Sequence, residues 1–137
     1  MSAESPKQII MILTEMLDVS PASLAGLLGV SERSLSDWKN RPVSNLPPKA
    51  YRLMRLREVV NLTKTLRPDY TAQELRSLLE NGRIPLGGLE DEESISLIGY
   101  IQAEPTSKTW QSCVKSAIDD FEKFIGRAHH ERRHASV

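Results

Sequence analysis

Apolar residues recur along this chain at the three-to-four-residue spacing of helices that bury one face. Ile9, Ile10, Leu13, Met16 and Leu17 share such a face, behind Ser5 as N-cap and Pro6 as first helical residue, and predict a helix ending near Asp18. A second start follows at once, with Ser20 as cap and Pro21 just inside it, opening a short helix that runs to Leu28, where Gly29 stops it. Ser31 caps a third helix through about Asn40, and Pro42 prevents its continuation. Pro42, Pro47 and Pro48 mark the stretch from Arg41 to Pro48 as an irregular connection.

From Lys49 to Leu66, the positions of Tyr51, Met54, Leu56, Val59, Val60, Leu62 and Leu66 predict a longer helix, ended by Pro68. Thr71 and Glu74 have capping-box spacing and open a helix through Leu75, Leu78 and Leu79 to Asn81 and Gly82. A Gly-rich link, Ile84 to Leu89, leads to Asp91 to Glu93, acids suited to a helix N-terminus, and to an apolar face of Ile95, Leu97, Ile98 and Ile101 that Pro105 closes. The last predicted helix runs from about Ser107 to Ile125 with Trp110, Val114, Ala117, Phe121 and Ile125 in one stripe, and a polar tail follows Gly126. No segment carries the alternation of a strand. The expectation is an all-α fold, with residues 1–67 as one unit and residues 68–137 as an appended helical region.

Composition narrows the classes. The longest apolar run, Ile9 to Leu13, falls far short of the roughly 20 residues that cross a bilayer, and no secretory pattern is present. The single cysteine, Cys113, forms no internal disulfide, so a cytoplasmic location without membrane contact is expected. Catalysis is not expected: His129, His130 and His134 all lie in the tail, and Cys113 sits beside the apolar stripe of the last helix rather than near a basic partner. No cofactor or metal site is expected either, since the histidines lack a framework of further ligands, and Gly87-Gly88 lacks the lysine of a phosphate-binding loop. Glu90 to Glu93 read as helix-dipole partners rather than cation ligands.

The formal net charge of zero conceals a segregation. From Arg33 to Arg67 the basic residues are Arg33, Lys39, Arg41, Lys49, Arg52, Arg55, Arg57, Lys64 and Arg67, against only Asp37 and Glu58. From Pro68 to Pro105 the balance reverses, with Arg76 and Arg83 against Asp69, Glu74, Glu80, Glu90, Asp91, Glu92, Glu93 and Glu104. A basic front suits an anionic partner such as nucleic acid.

The segment from Leu24 to Trp38 carries the most specific signal. Two helices that cross steeply through a tight turn need a small residue where they touch, supplied by Ala25, and a residue tolerant of positive φ four positions later, supplied by Gly29. Leu24, Leu28, Val30, Leu35 and Trp38 fall at inward positions. The pattern Leu24-Ala25, Gly29-Val30-Ser31, Leu35 and Trp38 resembles the helix-turn-helix of the lambda-repressor-like, or Xre-like, regulators, over about Ser5 to Arg67. The resemblance implies a sequence-specific regulator of transcription that binds double-stranded DNA, with the third helix entering the major groove. Its residues free of core duty are Glu32, Arg33, Ser34, Ser36, Asp37 and Lys39, and Arg33 is the first choice for reading a base because its guanidinium bridges two acceptors on a guanine edge. Ser31 caps the helix and is placed to hold a phosphate there. Lys39, Asn40, Arg41 and Lys49 follow as phosphate contacts. A dimer acting as a repressor is expected, since one recognition helix reads only a few base pairs.

Three points stay open in the sequence. Arg52, Arg55 and Arg57 either extend the phosphate footprint or pair within the molecule or with a partner, the acidic middle segment being the nearest candidate, and pairing is the preferred reading. The last helix either packs on its neighbours or offers Trp110 and Phe121 as a dimer seam. The stretch Glu74 to Leu89 loosely resembles the C-terminal domain of Xre-type antitoxins, which implies an alternative in which residues 68–137 bind a toxin. It lacks the tryptophan expected in the first helix of that domain and the proline expected after the glycines.

Overall fold

Hydroxyl side chains set where the helices begin. The computed structural model describes residues 4–85, 94–103 and 110–124. Helix α1 (Pro6–Leu17) opens with a complete capping box: Ser5 Oγ accepts from the Gln8 amide at 3.2 Å, and Gln8 Oε1 accepts from the Ser5 amide at 2.8 Å. Ser20 caps α2 (Pro21–Leu28), accepting from the Ser23 amide at 3.1 Å, and Ser31 caps α3 (Glu32–Lys39), accepting from the Ser34 amide at 3.0 Å. Two 3-10 turns, Val43–Asn45 and Pro48–Ala50, carry the proline-rich connection into α4 (Tyr51–Leu66). A second capping box, Thr71 with Glu74, starts α5 (Ala72–Asn81). Helices α6 (Leu97–Gln102) and α7 (Trp110–Phe124) complete the described chain.

The fold is all-α but for one small feature that the sequence reading excluded. Strands β1 (Arg83–Pro85) and β2 (Ser94–Ser96) pair antiparallel, with Ile84 opposite Ile95. Three residues are too few to show alternation, so the periodicity offered no sign of them. Ile95 accordingly belongs to a strand, and α6 starts only at Leu97, with Ser96 Oγ accepting from the Gly99 amide at 3.1 Å. Arg83 ties the pair together by donating Nε to Ser94 Oγ at 2.9 Å and Nη2 to the Ser94 carbonyl at 2.7 Å. The expected acidic helix start at Asp91 to Glu93, the glycine pair at 87–88, the ends of the last helix at Ser107 and Ile125, and the histidine tail lie outside the described residues.

One buried cluster joins all seven described helices. It runs from Ile9, Ile10, Leu13 and Leu17 in α1 through Leu35 and Trp38 in α3 and Leu53, Leu56, Val59 and Val60 in α4, to Leu78 in α5, Ile101 in α6 and Phe121 in α7. The helix α4 packs on α1, α6 and α7, and α1 also packs on α5, so the apolar core passes without a break across residue 67. Trp110 and Phe121 are inward: Phe121 is 1% exposed and meets the Tyr70 ring edge-on, while the half-buried Trp110 lies against the Arg55 guanidinium. Val114, Ala117 and Phe121 of that stripe are buried in the core of this chain.

A polar clasp closes α4 and α5 over α7. Arg67 grips Glu122 with two hydrogen bonds, at 2.8 and 3.0 Å, and the Tyr70 hydroxyl donates to the same carboxylate at 2.6 Å. Burial first, and then the Glu122 carboxylate, push the Tyr70 phenol well above its ordinary value. The folded chain therefore keeps a proton on Tyr70 after the unfolded chain has released its own, so stability is complete below about pH 10 and falls as pH rises beyond it. Tyr70→Phe should cost about 1 kcal/mol near neutral pH, and the loss of stability on going from neutral to alkaline solution should be smaller in the variant than in the parent. Urea midpoints at neutral pH and above pH 10 measure both, and equal alkaline losses in the two proteins would remove Tyr70 from this role.

Candidate nucleic-acid interface

Helix α3 is short, amphipathic and held from behind. Leu35 and Trp38, one turn apart, are 1% and 2% exposed and anchor it in the core, which leaves Glu32, Arg33, Ser36 and Asp37 facing outward. Its entry is fixed by the three residues that separate it from α2. Gly29 stands at φ 68°, and its amide turns back to the Gly26 carbonyl at 3.1 Å while the Val30 amide reaches the Ala25 carbonyl at 3.0 Å. Ala25 is buried, as a close helix contact requires.

The residues singled out in the sequence do not share one condition. Arg33 is exposed and makes no side-chain hydrogen bond or ion pair among the described residues. Ser31 and Ser34 form one unit: the Ser31 hydroxyl accepts from the Ser34 amide and donates to the Ser34 hydroxyl at 2.9 Å, so Ser34 is half-buried in the cap. Asp37 and Arg41 pair with each other at 2.8 Å, and Arg41 also donates to the Asn45 carbonyl at 3.3 Å. Asn40 ends the helix, its side-chain amide reaching the Ser36 carbonyl at 3.5 Å. Lys39 is half-buried in the last turn of α3, where its charge complements the helix dipole. Lys49 is exposed but sits apart from α3, on the second 3-10 turn.

The basic stretch resolves into two populations. Arg57 grips Glu4 with bonds of 3.0 and 3.2 Å. Arg55 is buried, 3.6 Å from Glu58, with its guanidinium 4.7 Å from the Trp110 ring and 5.2 Å from that of Tyr51. Lys64 donates to the carbonyls of Pro68 and Tyr70, at 2.8 and 3.0 Å. With Arg67 on Glu122, these cations serve the fold, and neither Glu4, Glu58 nor Glu122 belongs to the acidic segment that the sequence offered as their partner. Arg33, Lys39 and Lys49 make no side-chain hydrogen bond or ion pair among the described residues, and Arg41 is bound to Asp37.

Three residues govern the geometry by bonds to helix-end carbonyls, a role that the sequence suggested for none of them. Arg52 on α4 donates Nη1 to the carbonyls of Leu28 and Gly29, at 2.9 and 3.3 Å, and Gln102 on α6 donates to the Leu27 carbonyl at 2.6 Å. Arg76 on α5 does the same for α1, bonding the Leu17 carbonyl and, at 3.3 Å, that of Asp18. The one sequence signal was indirect: neither α1 nor α2 carries a basic residue in its own last turn, so its carbonyl end needs a donor from elsewhere.

Among the described residues no group of three or more His, Cys, Asp or Glu side chains could hold a metal ion, and no single helix is long and apolar enough to cross a membrane. No protein-family profile, no curated protein and no solved structure matches this chain.

The turn gives a direct test of this geometry. A Cβ at Gly29 would sit 3.1 Å from Arg52 Nη1 and 3.2 Å from Gln102 Cδ, besides forcing a side chain into left-handed backbone. Gly29→Val should lower stability by about 1–3 kcal/mol, and Gly29→Asn by less, because asparagine tolerates that conformation better. Chemical unfolding of both variants checks the order, and a valine variant as stable as the parent would contradict the role given to the turn.

Proposed function

We propose that this chain is a sequence-specific, double-stranded-DNA-binding regulator of transcription, a dimeric repressor that places α3 in the major groove. The observation that carries this reading is Arg33: an exposed guanidinium on the outer face of an anchored helix, with no partner among the described residues. A guanidinium of that kind keeps its donors for the O6 and N7 acceptors of a guanine. Ser36 lies one turn along on the same outward side. The first-turn amides of α3, together with Ser31, suit a backbone phosphate. Lys39 and Lys49 supply phosphate contacts that orient the domain without reading sequence. The Asp37–Arg41 pair fixes the exit of the helix, and Arg41 reaches phosphate only by keeping or exchanging that partner.

Selection of bound duplexes from a random pool, using the full chain, tests the proposal. An enriched inverted repeat with half-sites about one helical turn apart is the expected result. On that duplex Arg33→Ala should cost about 1–3 kcal/mol and relax discrimination at one base pair, whereas Lys39→Ala should weaken all sequences alike and reduce the salt dependence of binding. Loss of the same size on every duplex for Arg33→Ala would remove its base-reading role. A pool with no enrichment would overturn the reading as a whole, and a protein partner of residues 68–137, a toxin first among them, would be sought instead.

A further inference from the structure

A cleft of about 520 Å³ opens between α2, α5 and α6. Its volume lies in the range of small-molecule sites, and it forms where the helices of the first and second halves meet. Its lining mixes apolar side chains, Val19, Leu27 and Ile98, with polar ones, Ser23, Arg76, Glu80 and Gln102.

The polar part of the lining is chemically incomplete in a specific way. Arg76 and Glu80 stand four residues apart on α5, the spacing at which opposite charges on a helix pair, yet they form no ion pair. Arg76 turns Nη1 toward the end of α1, and its other donors make no hydrogen bond among the described residues. Gln102 uses its Nε2 on the Leu27 carbonyl, and its Oε1 accepts no hydrogen bond among the described residues. A cation, an anion and an acceptor thus line one cleft together with three apolar side chains.

Gly26 adds an independent observation. It lies within α2, where glycine weakens a helix, its φ is not in the positive range, and a Cβ placed on it meets nothing within 4 Å. Among the described residues nothing requires a glycine there. As an exposed member of the lining, it leaves that side of the cleft clear of any side chain.

We propose that this cleft binds a free aliphatic α-amino acid, its carboxylate on Arg76, its ammonium on Glu80 and Gln102 Oε1, and its side chain against Val19, Leu27 and Ile98. If α3 reads DNA, as proposed above, the cleft is an effector site, because the ligand touches Leu27 and Gln102, which hold the end of α2 from which α3 departs.

Calorimetric titration of the full chain with leucine, isoleucine, valine and methionine, one at a time, tests the site without DNA. At least one should bind saturably, and 4-methylpentanoate and isopentylamine, each lacking one charge, should bind at least about tenfold more weakly. Gly26→Leu, which fills open space and leaves the circular dichroism unchanged, should abolish binding, and Glu80→Gln should weaken it about tenfold. No binding of any of the four, or binding undiminished in Gly26→Leu, overturns the proposal. Duplex titration with and without the bound amino acid then reads the effector role: a change of DNA affinity that Gly26→Leu abolishes supports it, and an unchanged affinity overturns it. Amino-acid binding in a chain that selects no duplex supports the site and refutes the DNA reading.

Discussion

The carbonyl end of α2 is the constraint on which the rest of the structure depends. A helix of eight residues is too short to hold itself together in water, and its last carbonyls have no partners of their own. Five successive carbonyls are satisfied here. Those of Ala25 and Gly26 accept from the amides of the turn, that of Leu27 from Gln102, and those of Leu28 and Gly29 from Arg52. The Arg52 charge also offsets the negative end of the helix dipole. Because α3 begins three residues later, the direction in which its outer face points is fixed by side chains from α4 and α6 as much as by the turn itself.

The same arrangement changes the meaning of the charge pattern. A run of basic residues suggests a surface for an anion, yet Arg52, Arg55, Arg57, Lys64 and Arg67 all have work inside the fold. Arg55 shows how far this goes. It is 6% exposed, its Nε has no hydrogen-bond partner, and the two aromatic faces with Glu58 offset part of the cost of removing its charge from water. Within the basic stretch, the cations left without a partner among the described residues are therefore Arg33, Lys39 and Lys49, on α3 and the second of the two turns after it, and not the arginines of α4.

What the sequence made legible is what is encoded locally. The cap at Ser5, the pair Thr71 with Glu74, the caps Ser20 and Ser31, the positive φ at Gly29, and the inward positions of Leu35 and Trp38 all depend on neighbours within four residues. The misses share the opposite character. A pair of three-residue strands has no period to detect, and Ile95 looks the same at the start of a helix as in a strand. Arg52, Gln102 and Arg76 act on carbonyls 23, 75 and 59 residues away, respectively, and no spacing rule links a side chain to an acceptor that only the tertiary fold brings near. Trp110 is ambiguous in the sequence because an aromatic stripe on a helix faces a core or a partner with equal ease, and its contact is with a guanidinium, that of Arg55, 55 residues away in the chain.

These long-range caps also join the two halves of the chain more tightly than apolar packing alone. Packing resists separation but tolerates small sliding, whereas a hydrogen bond to a helix-end carbonyl is lost with a small displacement of either partner. Arg76 and Gln102 bind the ends of α1 and α2 while lining the cleft, and Leu27 contributes its carbonyl to one and its side chain to the other. A change in how α5 and α6 sit against α2 must therefore alter the bonds that hold the end of α2. The outer face of α3 follows that end, so the second half of the chain sets the posture of the helix that the first half presents.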